Sequence, residues 1–254
     1  MIKNRQEYWS RNVPMTFADV PMSYEEKRRF RYELQDYMQR FFRFDELRDK
    51  LVLEIGSGAG IDSAEMLRNG ATVLSVDFGV LSCKATKSLL QEARLDGEVI
   101  MADAAHLPFK RSALDVVYSY GVVHHIPEVD KVLMEVHRCL RDGGEFLGMV
   151  YNRDSLLYAY SILYLHGSKD GLLSSGYSED QLSSRFSERS EGNPYTKCYT
   201  AHELQERLSG FFRDIRINPC YNVIDMPTMR KMKFTLDSSV GDELGWHLAF
   251  RAKR

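Results

Sequence analysis

The stretch Val52–Gly79, VLEIGSGAGIDSAEMLRNGATVLSVDFG, decides the fold. A short apolar run gives way to three glycines at alternate positions, Gly56, Gly58 and Gly60. A helical pattern follows, then a second apolar run ending on Asp77, 21 residues beyond the first glycine. In this order parallel folds present backbone N–H groups and a helix N-terminus to a nucleotide-like ligand. The dinucleotide fingerprint wants glycine at position 61, where Ile61 stands, and no P-loop lysine followed by Ser or Thr is present. Glu54 instead opens the motif as E-x-G-x-G-x-G. Asp77 is placed to accept from both hydroxyls of an adenosine ribose. Asp103, which ends the next apolar run in MADAAHLPF, is placed to meet an adenine amine.

Outward from this stretch the chain alternates strand and helix signals. LVLEI, ATVLSVD, VIMAD, LDVVYSY and EFLGMVY read as strands. Between them IDSAEMLRN, Leu81–Leu95 and a helix opened by Pro127 and closed by Gly143-Gly144 read as helices. This spacing predicts right-handed crossovers and a mostly parallel α/β sheet covered on both sides. Upstream, Ser23 and Glu26 form a capping box for a helix over Ser23–Phe41, with Phe30, Leu34, Tyr37, Met38 and Phe41 as its apolar stripe. Downstream, residues 152–197 read as an insertion, helical over DSLLYAYSILYLHG and irregular from Gly167 to Tyr195. Thr200 caps a helix to about Leu208, and FRDIRINPCYNV and LGWHLAFRA are the last strand candidates, joined by a stretch containing Pro227 and Gly241. The division is a helical cap (1–45), a core (46–151), a lid insertion (152–197) and the rest of the sheet (198–254), all in one domain. The N-terminal segment and the insertion are expected to order on ligand binding.

Bulk composition narrows the partners. Hydrophobic residues make up 44% and charged residues 28% of the 254, with a formal net charge of -2, so no global charge points to nucleic acid or an anionic membrane. The basic run Lys27-Arg28-Arg29 with Arg31 reads as a solvated face. No apolar run approaches the ~20 residues that span a bilayer, and no signal-peptide core opens the chain. Cys83, Cys139, Cys198 and Cys220 are scattered without a CxxC pair, which favours a reducing cytoplasm.

With LEIGSGAG, the Asp77 strand end, ADAAHLPF, LDVVYSYGVVHHIP and VHRCLRDGGEF in order, the chain resembles the class I S-adenosylmethionine-dependent methyltransferases. The resemblance runs from about Lys50 to Tyr151, within the group that includes quinone-biosynthesis C-methyltransferases and small-molecule O- and N-methyltransferases. It implies a Rossmann-like, seven-stranded sheet with the last strand antiparallel, and S-adenosylmethionine as cofactor. It further implies that Glu54 lies near the cofactor's amine and that Gly56, Ser57, Gly58, Ala59 and Gly60 line it. Asp77 would bind the ribose, Phe78 would pack on adenine, Asp103 and Ala104 would flank the ring, and Ser119 and Tyr120 would approach the methionine moiety.

His124 and His125, in GVVHHIP after the fourth strand, are the candidates for a catalytic base. Adjacent side chains usually diverge, so at most one of the two is expected to face the acceptor. No carboxylate or cysteine stands beside them in sequence, so no metal site is expected. His106, His137, His166, His202 and His247 carry no motif and read as surface or structural residues. Tyrosines 151, 158, 160, 164 and 177, with Tyr8, Trp9, Phe17 and Tyr24, offer a roof for an apolar or cationic acceptor. The expected reaction is methyl transfer to oxygen or nitrogen of a small molecule, by a monomer or a homodimer. Carbon methylation and a non-catalytic cofactor-binding protein are the alternatives. A nucleic-acid methyltransferase is disfavoured, since SYGV stands where an NPPY-like motif would.

Overall fold

The computed structural model describes residues 2–13, 22–188, 192–221 and 242–254, with side chains from Arg5 onward. Seven strands form one sheet: β1 (Leu51–Ile55), β2 (Thr72–Asp77), β3 (Glu98–Met101), β4 (Leu114–Tyr120), β5 (Leu140–Tyr151), β6 (Arg213–Cys220) and β7 (His247–Lys253). Their order across the sheet is β3-β2-β1-β4-β5-β7-β6. β1 to β5 are parallel, and β7 runs antiparallel to both β5 and β6. The chain winds one way from β1 to β3 and the other way from β4 onward. The switch point therefore lies between β1 and β4, and the crevice beyond their carboxyl ends is where such sheets take ligands.

The helices are α1 (Ile2–Arg11), α2 (Tyr24–Leu34), α3 (Tyr37–Phe42), α4 (Ile61–Arg68), α5 (Val80–Glu92), α6 (Val129–Cys139), α7 (Glu179–Phe186) and α8 (Ala201–Ser209), with a π-helix at Tyr158–Lys169 before α7. One core joins α6 and α8 to the sheet through Val132, Val136, Leu204 and Leu208; the other joins α2 to α5 through Tyr32, Met38, Ala64 and Leu89. β1 is buried on both faces after its first residue, which is why it reads as an unbroken apolar run. A third, smaller core of Tyr158, Ile162, Leu182, Cys198 and Trp246 belongs to the insertion.

Several sequence expectations change here. The helix over Ser23–Phe41 is two helices, broken at Gln35-Asp36, although the Ser23/Glu26 capping box forms as read. Its supposed apolar stripe is interrupted, because Phe30 is exposed and Arg31 is buried in its place. Arg31 turns inward to a carboxylate: its Nε and Nη2 donate to Asp62 at 3.1 and 2.6 Å. Arg28 likewise pairs with Glu65, so this basic run is not simply a solvated face. α6 begins at Val129, after Pro127, and ends at Cys139. Leu140 already pairs with Leu114, and Gly143-Gly144 lie inside β5, where the register with β4 shifts. The stretch Gly167–Tyr195 contains α7, capped by Ser178 and Gln181. Phe17, Pro227 and Gly241 lie outside the described residues. Among the described residues no helix is long and apolar enough to cross a membrane.

Candidate functional site

The glycine loop follows β1 and is pinned from β2. Gly56 and Gly60 adopt φ of 80° and 83°, the left-handed region that side chains disfavour. A Cβ on Gly56 would strike Val122 after β4, and one on Gly60 would meet the Thr86 backbone at 2.8 Å. Both glycines therefore seat the loop against its own fold. Gly58 turns its N–H to Asp77 Oδ2 at 3.0 Å, and Gly79 N–H donates to Asp77 Oδ1 at 2.8 Å. Burial raises the Asp77 carboxyl above its ordinary pKa, while the amides of Gly79 and Gly58 and the Ser82 hydroxyl pull the other way. Ser57 is buried and its hydroxyl accepts from Thr86 Oγ1 at 2.9 Å; Ala59 is buried beside it.

Glu54 is 3% exposed and accepts from the Ser63 hydroxyl, which also meets Ser75 Oγ at 2.7 Å. Burial, reinforced by the Asp62 charge, lifts the Glu54 carboxyl well above the usual carboxylate range. Phe78 is half-buried after the β2 end. Asp103 lies two residues past β3, half-buried, and accepts from Ala105 N–H at 3.0 Å; Ala104 is buried.

The carboxyl end of β4 carries the next group. Ser119 is fully buried, and its Oγ has no hydrogen-bond partner among the described residues. Tyr120 Oη donates to Gln35 Oε1 at 2.9 Å and lies 2.6 Å from Tyr37 Oη and 3.2 Å from His247 Nδ1. The Arg31 guanidinium sits 4.4 Å from the Tyr120 ring centroid. His247, read from sequence as surface or structural, is buried in this cluster, with Nδ1 2.8 Å from Tyr37 Oη. Burial pushes its pKa down to about 3, with Arg31 adding to the shift.

One tight turn beyond β4, Val123–His125, sets the paired histidines side by side. Their ring centroids are 4.2 Å apart, so the side chains do not diverge as expected. Each differs in its surroundings. His124 is fully buried with both ring nitrogens unpartnered among the described residues, and burial drops its pKa well below 6.5. His125 Nδ1 lies 3.1 Å from the Tyr195 carbonyl and 2.9 Å from Thr196 Oγ1, and its Nε2 lies 3.4 Å from Glu188 Oε1. Tyr151 Oη donates to that same Glu188 oxygen at 2.6 Å, and the Tyr151 ring lies 4.2 Å from His124. The expectation that no carboxylate attends the histidines fails, because the insertion delivers Glu188 from 63 residues further on.

α1 ties the two sides together. The Trp9 ring lies 4.8 Å from His125, while the Trp9 carbonyl passes within 3.1 Å of where a Cβ on Gly79 would stand. Tyr151 stacks on Trp246 at 4.5 Å. Tyr164, offered as part of a roof, instead points outward at 55% exposure. Glu188, Thr196, Tyr37 and Gln35 were not legible as site residues. Their sequence neighbourhoods carry no motif, and only the fold brings them to this edge.

Residues 53–148 match the family described as methyltransferase domain. The chain is 31% identical over 115 residues to an uncharacterised protein of Methanocaldococcus jannaschii, covering 45% of this chain and 47% of that one. It is 30% identical over 121 residues to the ubiquinone biosynthesis O-methyltransferase of Pseudomonas aeruginosa, covering 46% and 51%. The chain thus matches about half the length of these curated relatives. Among solved structures, a Thermotoga maritima methyltransferase described as a possible histamine N-methyltransferase superposes with a TM-score of 0.60 at 14% identity, covering 98% and 99% of the two chains. A Pyrococcus horikoshii protein superposes at 0.61 and 17% identity, covering 97% and 98%. These likenesses bear on the fold.

Proposed function

We propose that this chain, whose residues 53–148 match a methyltransferase domain, is a class I S-adenosylmethionine-dependent methyltransferase that moves a methyl group to oxygen or nitrogen of a small molecule. The observation that supports it most is the meeting of two assemblies at one switch point. The glycine loop follows β1 and Asp77 ends β2, while Ser119 and Tyr120 end β4 and the paired histidines follow it. S-adenosylmethionine suits the first. Asp77 would take the ribose hydroxyls, with Phe78, Asp103 and Ala104 around the adenine. Glu54 would shape the amine end, and Gly56, Ser57, Gly58, Ala59 and Gly60 would form the bed. The orphaned, buried Ser119 Oγ fits a polar group of such a ligand.

The cofactor supplies a sulfonium methyl, so the protein's share is alignment and exclusion of water. Well-oriented reactants account for roughly 7–11 kcal/mol of a barrier. Tyr120, fixed by Tyr37, Gln35 and His247, would hold one wall of the approach. An acceptor that must lose a proton needs a base, and the imidazole with uncommitted nitrogens is His124. His125 is committed to Glu188 and the Tyr195–Thr196 segment and would orient its neighbour. Burial holds the His124 pKa well below 6.5, which keeps the ring neutral and its lone pair free but makes it a weaker base than an exposed imidazole.

Calorimetry with S-adenosylmethionine, S-adenosylhomocysteine and NAD tests the reading. We expect the first two to bind and NAD not to, since Ile61 occupies the position of the third dinucleotide glycine. NAD binding without sulfonium binding would overturn it. Labelled cofactor with a metabolite extract then identifies the acceptor.

A further inference from the structure

Two imidazoles and one carboxylate converge beneath α1, from segments that share no motif. One ligand-capable atom from each of His124, His125 and Glu188 lies within 4.8 Å of the others. Their hydrogen bonding is incomplete in a particular way. A neutral imidazole offers one donor and one acceptor, and His124 uses neither although it is fully buried. Buried polar groups are rarely left so. His125 Nδ1 lies 3.1 Å from the Tyr195 carbonyl and 2.9 Å from Thr196 Oγ1, so each tautomer has a partner. With Nδ1–H on the carbonyl the Nε2 lone pair faces Glu188 Oε1 at 3.4 Å, and with Nδ1 accepting from Thr196 the Nε2–H donates to that carboxylate. In the first tautomer two acceptors oppose each other, and a cation between them removes the conflict. A proton answers that pair alone. A metal ion answers the pair and His124 together.

We propose that His124, His125 and Glu188 bind one divalent transition-metal ion of the zinc class. Two imidazoles and a carboxylate form a ligand set that such ions take with a position left open, whereas calcium and magnesium prefer oxygen. The surroundings are those of a supported site. The Tyr195 carbonyl at His125 Nδ1 can take the proton of the tautomer that presents Nε2, and Tyr151 Oη orients Glu188 from 2.6 Å. The site deepens the methyltransferase reading only in its use. With the ion bound, the histidines would assist by holding it where it polarises the acceptor; without the ion, His124 keeps its role as base. Binding itself does not depend on that reading.

The test uses the full chain, freed of metal by chelation, with Zn²⁺ followed by calorimetry and Co²⁺ by visible absorbance. One equivalent of each should bind, with Co²⁺ bands free of thiolate charge transfer. Glu188→Gln and His125→Gln should each weaken Zn²⁺ by about 100-fold or more, beyond the roughly 10–100-fold expected when an outer partner such as Tyr151 is lost in Tyr151→Phe. Glu188 is partly exposed, so Glu188→Gln should melt as the metal-free wild type does. Absence of binding at millimolar ion, a thiolate band, or one equivalent bound equally well by both ligand variants would overturn the proposal. S-adenosylmethionine binding is titrated separately on the same protein. Its failure with the ion still bound would sink the methyltransferase reading and leave the metal site standing.

Discussion

The two sides of the switch point are built by opposite means. The glycine-loop side lies almost wholly within residues 54–77, and its carboxylate is held by main-chain N–H groups of Gly58 and Gly79. The histidine side draws Trp9, Tyr37, Tyr120, His124, His125, Tyr151, Glu188, Thr196 and His247 from the length of the chain, and it is held mainly by side chains, with the Tyr195 carbonyl at His125 as a main-chain contact. Backbone donors do not change with side-chain identity, so the first arrangement suits a ligand that stays the same. Side-chain walls can be altered residue by residue, which suits a partner that varies between relatives.

Separate variants can break that comparison. Replacing His124 by Ala should lower turnover by about 10²–10⁴-fold while leaving cofactor affinity near wild type. Steady-state rates together with cofactor calorimetry check this, and unchanged turnover would leave alignment as the whole of catalysis. Asp77→Ala should do the reverse. Loss of hydrogen bonds to a charged acceptor costs roughly 1.5–3 kcal/mol, about 10- to 150-fold in cofactor affinity. If both variants lose both properties equally, the two sides act as one unit.

Acid stability sharpens the difference. His247 is buried neutral with its pKa held down to about 3. Below about pH 6.5 the unfolded chain binds this proton and the folded chain does not. Stability carried by this residue is therefore intact above 6.5 and lost as pH falls toward 3, by about 1.4 kcal/mol per pH unit. His247→Gln should flatten that loss, read as the wild-type-minus-variant difference in unfolding free energy at pH 7.5 and 5.5. The raised carboxyls of Glu54 and Asp77 have the opposite sign, since the folded state takes up their protons first as pH falls. The smallest effect lies away from both sides. Thr200→Ala removes the cap of α8 and should cost about 1 kcal/mol in thermal or denaturant unfolding, with cofactor affinity unmoved.

How much was legible follows the same line. Strand periodicity, E-x-G-x-G-x-G and the Asp77 spacing are local signals, and β1, β2, α4 and the sheet class were readable from them. Capping boxes at Ser23 and Thr200 were readable for the same reason. Phe30 and Arg31 misled because an apolar stripe assumes that charge faces water, while Asp62 gives Arg31 a partner inside. Glu188 had no signal at all. It lies just after α7 in a Ser- and Glu-rich run, and only tertiary packing sets it against His125.

The placement of β7 carries a consequence in time. It comes after every other strand in the chain, yet it lies between β5 and β6. During synthesis β1 to β5 can pair in the order they emerge, and the glycine loop can close on Asp77. Among the described residues β6 pairs with β7 alone, and Tyr37 and Tyr120 wait equally long for His247. A nascent chain halted before β7 should therefore have its glycine loop closed on Asp77 beside an open edge. Such an intermediate completes one side of its switch point before it is safe from pairing with another chain.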